Sequence, residues 1–546
     1  MRKMNLVLCG GMLCAGLFSL SNLWAETYSV THTKDSGAGS LRQAIEDANV
    51  HPGPDLIVFH LPKSDAGYLP SKGTWTIRPT SALPEIVNAG LTIDGSSQAE
   101  FIGADTNPDG PEIVVSGALI PYLYGFCVQA DSVHLWELVI QQFTDTNAVW
   151  FKRAKEGSVC GCYIGTDETG MVRAANFIGI ALSRHSDKVQ IKPRNNKPNI
   201  ISGNWYKGIA IQDSCCYNTI QGNIIGLNRT RQDTLGNGSN DYYGGIFISF
   251  RSDSNQIIDN YICGNRQHGI MIHQSSGNII ANNFIGTNQE WSQALGNYFI
   301  GIYITADSPV SASTAGNQII HNHIGHNGYA GVAVQQAEAQ RNLISENSIS
   351  KNGELGIWLM DGANNHKASC QLESVFQSRI TGKSQPGDRV EIFSDPQNQG
   401  KVFLGVAMAD ADGAFSLQLS TPLPYDNLTA TATDELGNTS TFCRPFTVTT
   451  AVTDHVDRND DFQLLQSFPN PFNLTCSIKY RVKERCRVFL SIFDLEGHRL
   501  IDLVDSEREP GWYRETVDAG GFPSGIYFYR IKMQGYSAVR KMILAK

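Results

Sequence analysis

A six-residue phrase recurs along the middle of the chain: Asn, any residue, Ile, two variable residues, Asn. It occupies Asn199–Asn204, Asn218–Asn223, Asn255–Asn260, Asn278–Asn283, Asn317–Asn322 and Asn342–Asn347, with Ile201, Ile220, Ile257, Ile280, Ile319 and Ile344 at its third position. A second phrase, Gly followed by a β-branched residue, is interleaved with it at Gly179, Gly208, Gly245, Gly269, Gly301, Gly331 and Gly356, spaced 24 to 37 residues apart. Short β-branched runs repeating at this period, with Asn and Gly at the breaks, predict a solenoid of stacked coils rather than a globule. Each coil holds two or three short strands, and coils stack about 4.8 Å apart, so like residues lie above like. The Ile positions then form inward aliphatic stacks. The Asn positions are expected at corners, where Asn tolerates left-handed backbone and its amide can bond the next coil's amide. Gly is expected to supply positive φ at the opposite corner. The Asn residues are therefore read as a structural ladder rather than as ligands.

Three coils carry an insertion of one type: Ile164-Gly165-Thr166-Asp167 to Asn176, Ile225-Gly226-Leu227-Asn228 to Asn237, and Ile285-Gly286-Thr287-Asn288 to Asn297. Insertions fall at solenoid corners and line one face. Stacked, these three form a ridge or cleft wall, the expected interaction surface.

Residues 26–84 read as a cap. Ser40 and Gln43 make a capping-box pattern, and Leu41, Ala44, Ile45 and Ala48 an apolar helical face. A solenoid end exposes apolar cross-section and unpaired strand edges, so a covering helix is physically required. Asp35-Ser36-Gly37-Ala38-Gly39-Ser40-Leu41-Arg42-Gln43-Ala44-Ile45, with Leu91-Thr92-Ile93-Asp94-Gly95 and the Ile-Gly-Thr-Asp insertions, resembles the Ser-Leu-Arg-containing segment of bacterial secreted right-handed parallel β-helix proteins. The resemblance spans residues 28 to about 366. It implies a pectin lyase-like fold for residues 85–366 and leaves the activity open.

The flanking segments place this solenoid in a larger exported chain of 546 residues. Arg2 and Lys3, the apolar run Leu6 to Leu20, and Leu23-Trp24-Ala25 read as a secretory signal over residues 1–25. Neither Cys9 nor Cys14 follows a small residue, so a lipoprotein signal is not expected. From 367 to 450 the pattern alternates, with Arg389–Phe393 and Lys401–Gly405 as paired strands, and Leu428 to Asn438 resembles the last strand and turn of bacterial Ig-like modules. Residues 451–463, with Asp457-Arg458-Asn459-Asp460-Asp461, read as a solvated linker. In 464–546, Phe468-Pro469-Asn470-Pro471-Phe472-Asn473, Val488 to Gly497, Ser524–Ile531 and Arg540–Leu544 resemble the C-terminal sorting domain of type IX secretion cargo. That resemblance implies the type IX machinery as a partner and an outer-surface or secreted location in a Gram-negative-type bacterium. The expected fold is thus all-β: a right-handed parallel β-helix, an Ig-like β-sandwich, and a small β-sandwich sorting domain.

A formal net charge of −9 excludes nucleic acid and anionic membrane surfaces as electrostatic partners. No run beyond the signal is long and apolar enough to span a bilayer. The cysteines lack zinc-site spacing. Cys370 with Cys443, and Cys476 with Cys486, are the disulfide pairings considered; buried thiols are expected within the solenoid.

For chemistry, a polygalacturonase-like carboxylate set is absent, since Gln267-His268-Gly269 matches only in part and Arg530-Ile531-Lys532 lies in the sorting domain. A lyase would need carboxylates holding calcium and a basic residue to take a proton α to a uronate carboxylate. Asp213, Asp253, Asp259 and Arg251 are the candidates, with Ca2+ as cofactor only in that case. His321, His323 and His326 are read as a polar face rather than a metal site, and no metal ligands are assigned. Tyr242, Tyr243, Trp291 and Tyr298, in or beside the insertions, are the candidate sugar-stacking residues. The leading expectation is a non-catalytic adhesion protein contacting glycan or another extracellular polymer. The alternatives are a polysaccharide lyase or related enzyme, and a structural spacer.

Overall fold

The computed structural model describes residues 25–239, 243–306, 314–448, 463–495, 497–533 and 536–546. Residues 1–24 of the expected signal segment, Tyr242, and residues 451–462 of the expected linker lie outside them. Residues up to 447 form one compact unit and those from 448 a second.

In the first unit the chain winds from Thr27 to Met360 through three sheets, here A, B and C, visited in that order in every coil from Thr92–Asp94 onward. Sheets A and B have eleven strands each and C has nine. One coil consists of Gln256–Ile258 in A, Tyr261–Ile262 in B and Ile270–His273 in C. Parallel pairing stacks Ile220, Ile257, Ile280, Ile319 and Ile344 in sheet A. Ile225, Ile262, Ile285, Ile324 and Ile349 stack in B. Ile209, Ile246, Ile270, Ile302, Val332 and Ile357 stack in C. All are buried in one continuous core, each side chain stabilising the fold by about 1.5–3 kcal/mol.

Asparagines ladder all three corners. Between A and B, Asn199, Asn223, Asn260, Asn283, Asn322 and Asn347 are joined amide to amide at 2.8–3.0 Å. Between C and A the ladder is Asn218, Asn255, Asn278, Asn317 and Asn342. Between B and C it is Asn176, Asn204, Asn237, Asn265, Asn297, Asn327 and Asn352.

Three details differ from the sequence expectation. Asn199–Asn204 brackets a sheet B strand, Ile200–Ile201, whereas the other five copies bracket sheet A strands. Strands in A and B share one flanking pattern, so the phrase alone cannot fix the phase. The ladder Asn residues are not themselves left-handed. The residue before each often is: Asp259, Asn282, His321 and Glu346 at one corner, Tyr217, Ser254, Gly277 and Arg341 at another. Finally, the repeated glycines have no positive φ. A Cβ on Gly179, Gly208, Gly245, Gly269, Gly301 or Gly331 would lie 2.5–2.7 Å from the carbonyl oxygen of the equivalent glycine in the next coil. Close approach of stacked backbones, not a turn, requires glycine there.

Both solenoid ends are covered. At the N-terminal end, helix Leu41–Val50 buries Leu41, Ala44, Ile45 and Ala48, with the Ser40 hydroxyl accepting from the Gln43 N–H. The Gln43 side chain donates to Asp47 instead of closing the box. At the other end the Ig-like module satisfies the last coil. Gln399 bonds Asn352 at both its N–H and its carbonyl. Asn438 accepts from the Arg341 N–H, Thr439 from the Ile344 N–H and Glu391 from the Glu346 N–H. The module pairs Gln371–Phe376, Arg379–Lys383 and Ala414–Gln418 in one sheet and Arg389–Ser394, Val402–Met408, Asn427–Thr433 and Phe446–Thr447 in the other.

The second unit is a small sandwich of a three-stranded and a four-stranded sheet with its own core, centred on Tyr480 and Tyr529. The described cysteines are all free thiols. Those of Cys370 and Cys443 lie within hydrogen-bonding reach of each other. Cys476 and Cys486 are buried in strands of opposite sheets, Thr475–Val482 and Cys486–Phe493, so they do not link neighbouring strands.

Candidate functional site

The outer face of sheet C carries an aromatic path. At the corner entering each sheet C strand, two residues ahead of the repeated glycine, stand Phe177, Tyr206, Tyr243, Phe299 and Tyr329, placed in successive coils by Tyr206 N–H to the Phe177 carbonyl and Tyr329 N–H to the Phe299 carbonyl. The coil between Tyr243 and Phe299 has Gln267 in this place. A second column, on the strands, runs Trp150, Ala181, Ala210, Phe247, Met271, Tyr303, Ala333, Trp358. The columns interlock. Phe177 stacks on Tyr206 at 4.9 Å, Tyr206 meets Tyr243 edge-on at 5.3 Å, and Tyr243 lies 4.4 Å from Phe247. Phe299 contacts Tyr329 at 5.4 Å and Tyr329 contacts Trp358 at 4.9 Å. His268 sits 5.0 Å from Tyr303 and 5.6 Å from Phe299, and burial pushes its pKa down to about 4, so it is a neutral ring at neutral pH.

Within this path Lys207 is boxed by rings. Its ammonium lies 4.1 Å from Phe247, 4.2 Å from Tyr243 and 4.8 Å from Tyr206. No carboxylate pairs with it among the described residues, and burial lowers its pKa to about 8. Cation–π attraction is what offsets part of that desolvation. A third column beside the rings is polar over Ser183, Ser249, His273, Thr305 and Gln335. Tyr298 and Phe299 are exposed at its edge, with Tyr122 and Trp205.

The outer face of sheet B is shaped by the three insertions, which are small hairpins closed by Thr166–Arg173, Leu227–Thr234 and Thr287–Ala294 bridges. Leu227 and Leu295 fold down onto Val139, Tyr163, Ile200 and Ile224. Beside them runs a groove of about 570 Å³. Tyr163, Ile224 and Tyr261 line it, Arg229 and Arg231 enter from the second insertion, and Asp105, Asp109, Lys197 and Asp259 stand along it. Arg229 donates to Asp109 at 2.6 Å, the Tyr163 hydroxyl to the Asp109 carbonyl at 2.7 Å, and Arg231 stacks on Tyr261 at 4.6 Å. Lys197 donates to Glu137 at 2.8 Å, and Arg194 holds Asp94 through both terminal nitrogens. Burial is the largest influence on Lys197 and opposes its charge, but the Glu137 hydrogen bond together with the attraction of Glu137, Glu112 and Asp105 raises the pKa. Behind Asp105 the Glu112 carboxyl is pushed up to about 7 by burial and by the Asp105 charge, against the pull of Lys197.

The sequence candidates fall in separate places. Asp213, Arg251 and Asp253 lie on the corner between C and A, where Asp253 accepts from the Ser276 N–H. Asp259 is on the corner between A and B, facing the groove, and accepts from Gln221. The four do not form one cluster. Tyr243 is part of the sheet C path and Tyr298 borders it. Trp291 belongs to sheet B's side, lying over Gly325 beside His323 and Lys401. His323 stacks on Phe284, and exposed His321 lies 3.6 Å from Glu346. The sheet C path was legible as an aromatic residue two positions before the repeated glycine.

Comparison with known proteins agrees with this architecture. Residues 244–382 match the family model for a right handed beta helix region, 374–451 that of a bacterial Ig domain, and 466–545 that of a secretion system C-terminal sorting domain. Residues 173–303 also match a periplasmic copper-binding protein (NosD) model. Copper favours His, Cys and Met ligands. In this span His268 is packed between rings and Cys215 and Cys263 are buried in separate coils. Among the described residues no three His, Cys, Asp or Glu side chains gather for a metal ion, so they do not fit a copper centre. No curated protein matches the chain. Similar solved structures include the Azotobacter vinelandii mannuronan C-5 epimerase AlgE4 A-module, at 12% identity over 56% of this chain and 67% of that one with a TM-score of 0.35. The Dettilon tailspike protein (gp208) shares 14% identity over 90% and 86%, TM-score 0.35. Geobacillus virus E2 ORF18 shares 10% over 77% and 76%, TM-score 0.39. The chain is a right-handed parallel β-helix protein with a bacterial Ig domain and a secretion-system C-terminal sorting domain, exported to the cell surface or beyond.

Proposed function

We propose that the solenoid is a non-catalytic glycan-binding element displayed outside the cell, with sheet C as its contact face. The observation that carries this reading is the set of partly exposed aromatic side chains along that sheet, Trp150, Tyr206, Tyr243, Phe299, Tyr303, Tyr329 and Trp358. Nine strands span about 40 Å at one coil per 4.8 Å. Ring faces stack on the apolar faces of sugars, and the partly exposed Ser183, His273 and Gln335 beside them offer hydrogen bonds to hydroxyls. Rings and uncharged polar side chains outnumber the charged ones on this face, among them Lys152, the boxed Lys207 and exposed Glu354, so a neutral polysaccharide is the ligand class it suits.

The test is retention of the purified mature chain on insoluble neutral and acidic glycans. Retention on neutral glycans is expected, falling at least tenfold in a Phe299→Ala/Tyr329→Ala variant with unchanged circular dichroism. Equal retention of wild type and variant overturns the assignment of this face. A second reading, a carbohydrate-active enzyme, is favoured by the acid and base groups around the sheet B groove. Ultraviolet absorbance of unsaturated uronates, or new reducing ends, in the same incubations would establish it. Neither binding nor turnover would favour the spacer.

A further inference from the structure

We infer that Cys370 and Cys443 are joined by a disulfide in the exported protein, and that this bond locks the Ig-like module over the open end of the solenoid. In the structure both are thiols, 5% and 4% exposed, and each lies within hydrogen-bonding reach of the other. The backbone at each residue is held independently of the sulfurs. Cys370 leads directly into Gln371–Phe376 of one module sheet. Cys443 lies against Asn427–Thr433 of the other sheet. Its N–H donates to the Ala430 carbonyl at 2.8 Å, and its carbonyl accepts from the Thr429 hydroxyl at 3.0 Å. The link therefore joins the two sheets of the sandwich.

The sorting domain sends the chain out of the reducing cytoplasm, into compartments where disulfides form and persist. The co-reactant is a disulfide-carrying oxidant of those compartments. One thiolate of the pair attacks it, forming a mixed disulfide and releasing a thiolate. The second cysteine loses its proton and attacks the first cysteine's sulfur, releasing the oxidant's other thiolate. The pair gives up two electrons and two protons, and the oxidant's disulfide becomes a dithiol. Exchange belongs to the stage before the module closes, because burial afterwards shuts out a protein oxidant and equally protects the bond from reductants.

The position of the pair gives the bond its effect. Gln399, Asn438, Thr439 and Glu391, which bond the last coil, all lie between the two cysteines in the chain. A link closing so long a loop restricts the opened module far more than the closed one. The groups that cover the solenoid's last strands are thereby kept in place outside the cell.

The experiment uses the full mature chain, exported to a bacterial periplasm and purified without reductant. The protein is denatured, its free thiols are blocked with N-ethylmaleimide, and its peptide masses are mapped. The Cys370 and Cys443 peptides should appear as one linked species that separates on reduction. A phosphine reductant should lower the unfolding temperature of the native protein's first unit by about 5 °C. The same reductant should leave that of Cys370→Ser/Cys443→Ser unmoved. Maleimide on both residues of the unreduced chain overturns the inference, as does linkage of either to a different cysteine. The stabilising role is overturned if reduction lowers the unfolding temperature equally in wild type and double variant. The mass mapping needs no variant, so it decides the bond even where the double variant does not fold.

Discussion

Lys207 shows how far one side chain here departs from its ordinary chemistry. It sits among Tyr206, Tyr243 and Phe247, and its folded-state pKa of about 8 lies below the roughly 10.4 of an exposed lysine. Between those values the unfolded chain binds the extra proton, so stability rises with pH across that window and the desolvation cost is fully present below it. Compared with Lys207→Met, the wild type should therefore gain stability from about pH 8 to about 10.4. Urea midpoints of both proteins at pH 7, 9 and 10 check this; a constant difference would show that the ammonium is solvated. The same scale explains what was hidden in the sequence. Sequence analysis gave Lys207 no role, because only the stacking of two coils brings Tyr243 and Phe247 up to Tyr206 and the ammonium. The Asn residues, by contrast, announced themselves, since each must bond its equivalent in the next coil and so cannot vary.

At the scale of the strand and corner, two kinds of glycine do opposite jobs. Gly245 stands at the entrance to strand Ile246–Ser249, and a Cβ there would meet the Gly269 carbonyl oxygen at 2.5 Å. Gly245→Ala is expected to cost about 1–3 kcal/mol through overpacking between coils. Gly277 is left-handed, with φ of +66°, at a corner where other coils place Tyr217, Ser254 and Arg341, and its Cβ direction is open beyond 3.5 Å. Gly277→Asn should be nearly neutral, within about 1 kcal/mol. Thermal or urea unfolding of the two variants separates these outcomes, and equal loss would mean that the corners tolerate no side chain at this position. The Gly-Ile phrase marked the repeat correctly but misplaced the reason for glycine. Sequence spacing cannot distinguish a turn from a close approach, because both require the missing Cβ.

For the whole molecule, the decisive problem is closure of the solenoid ends. The cap helix covers one, and Gln399, Asn438, Thr439 and Glu391 of the Ig-like module bond the other. A chain ending at residue 366 would leave the last coil's N–H groups unpaired, and aggregation is expected by light scattering. A chain ending at 447 keeps both caps and should unfold at the temperature of the full protein's solenoid transition, because the sorting domain has its own core. A lower transition for the longer fragment would show that the solenoid depends on the C-terminal domain.

The sequence by itself determined the coil, its aliphatic stacks, its Asn corners, the N-terminal helix and the two appended sandwiches. Those features repeat, or depend on short-range periodicity, and so survive without knowledge of register. What faces what was decided by tertiary structure. Coil lengths of 24 to 37 residues mean that equal sequence intervals do not mark equal positions in space. Thus Asp259 parts from Asp213 and Asp253 by a whole corner, and Trp291 from Tyr243 by a whole face.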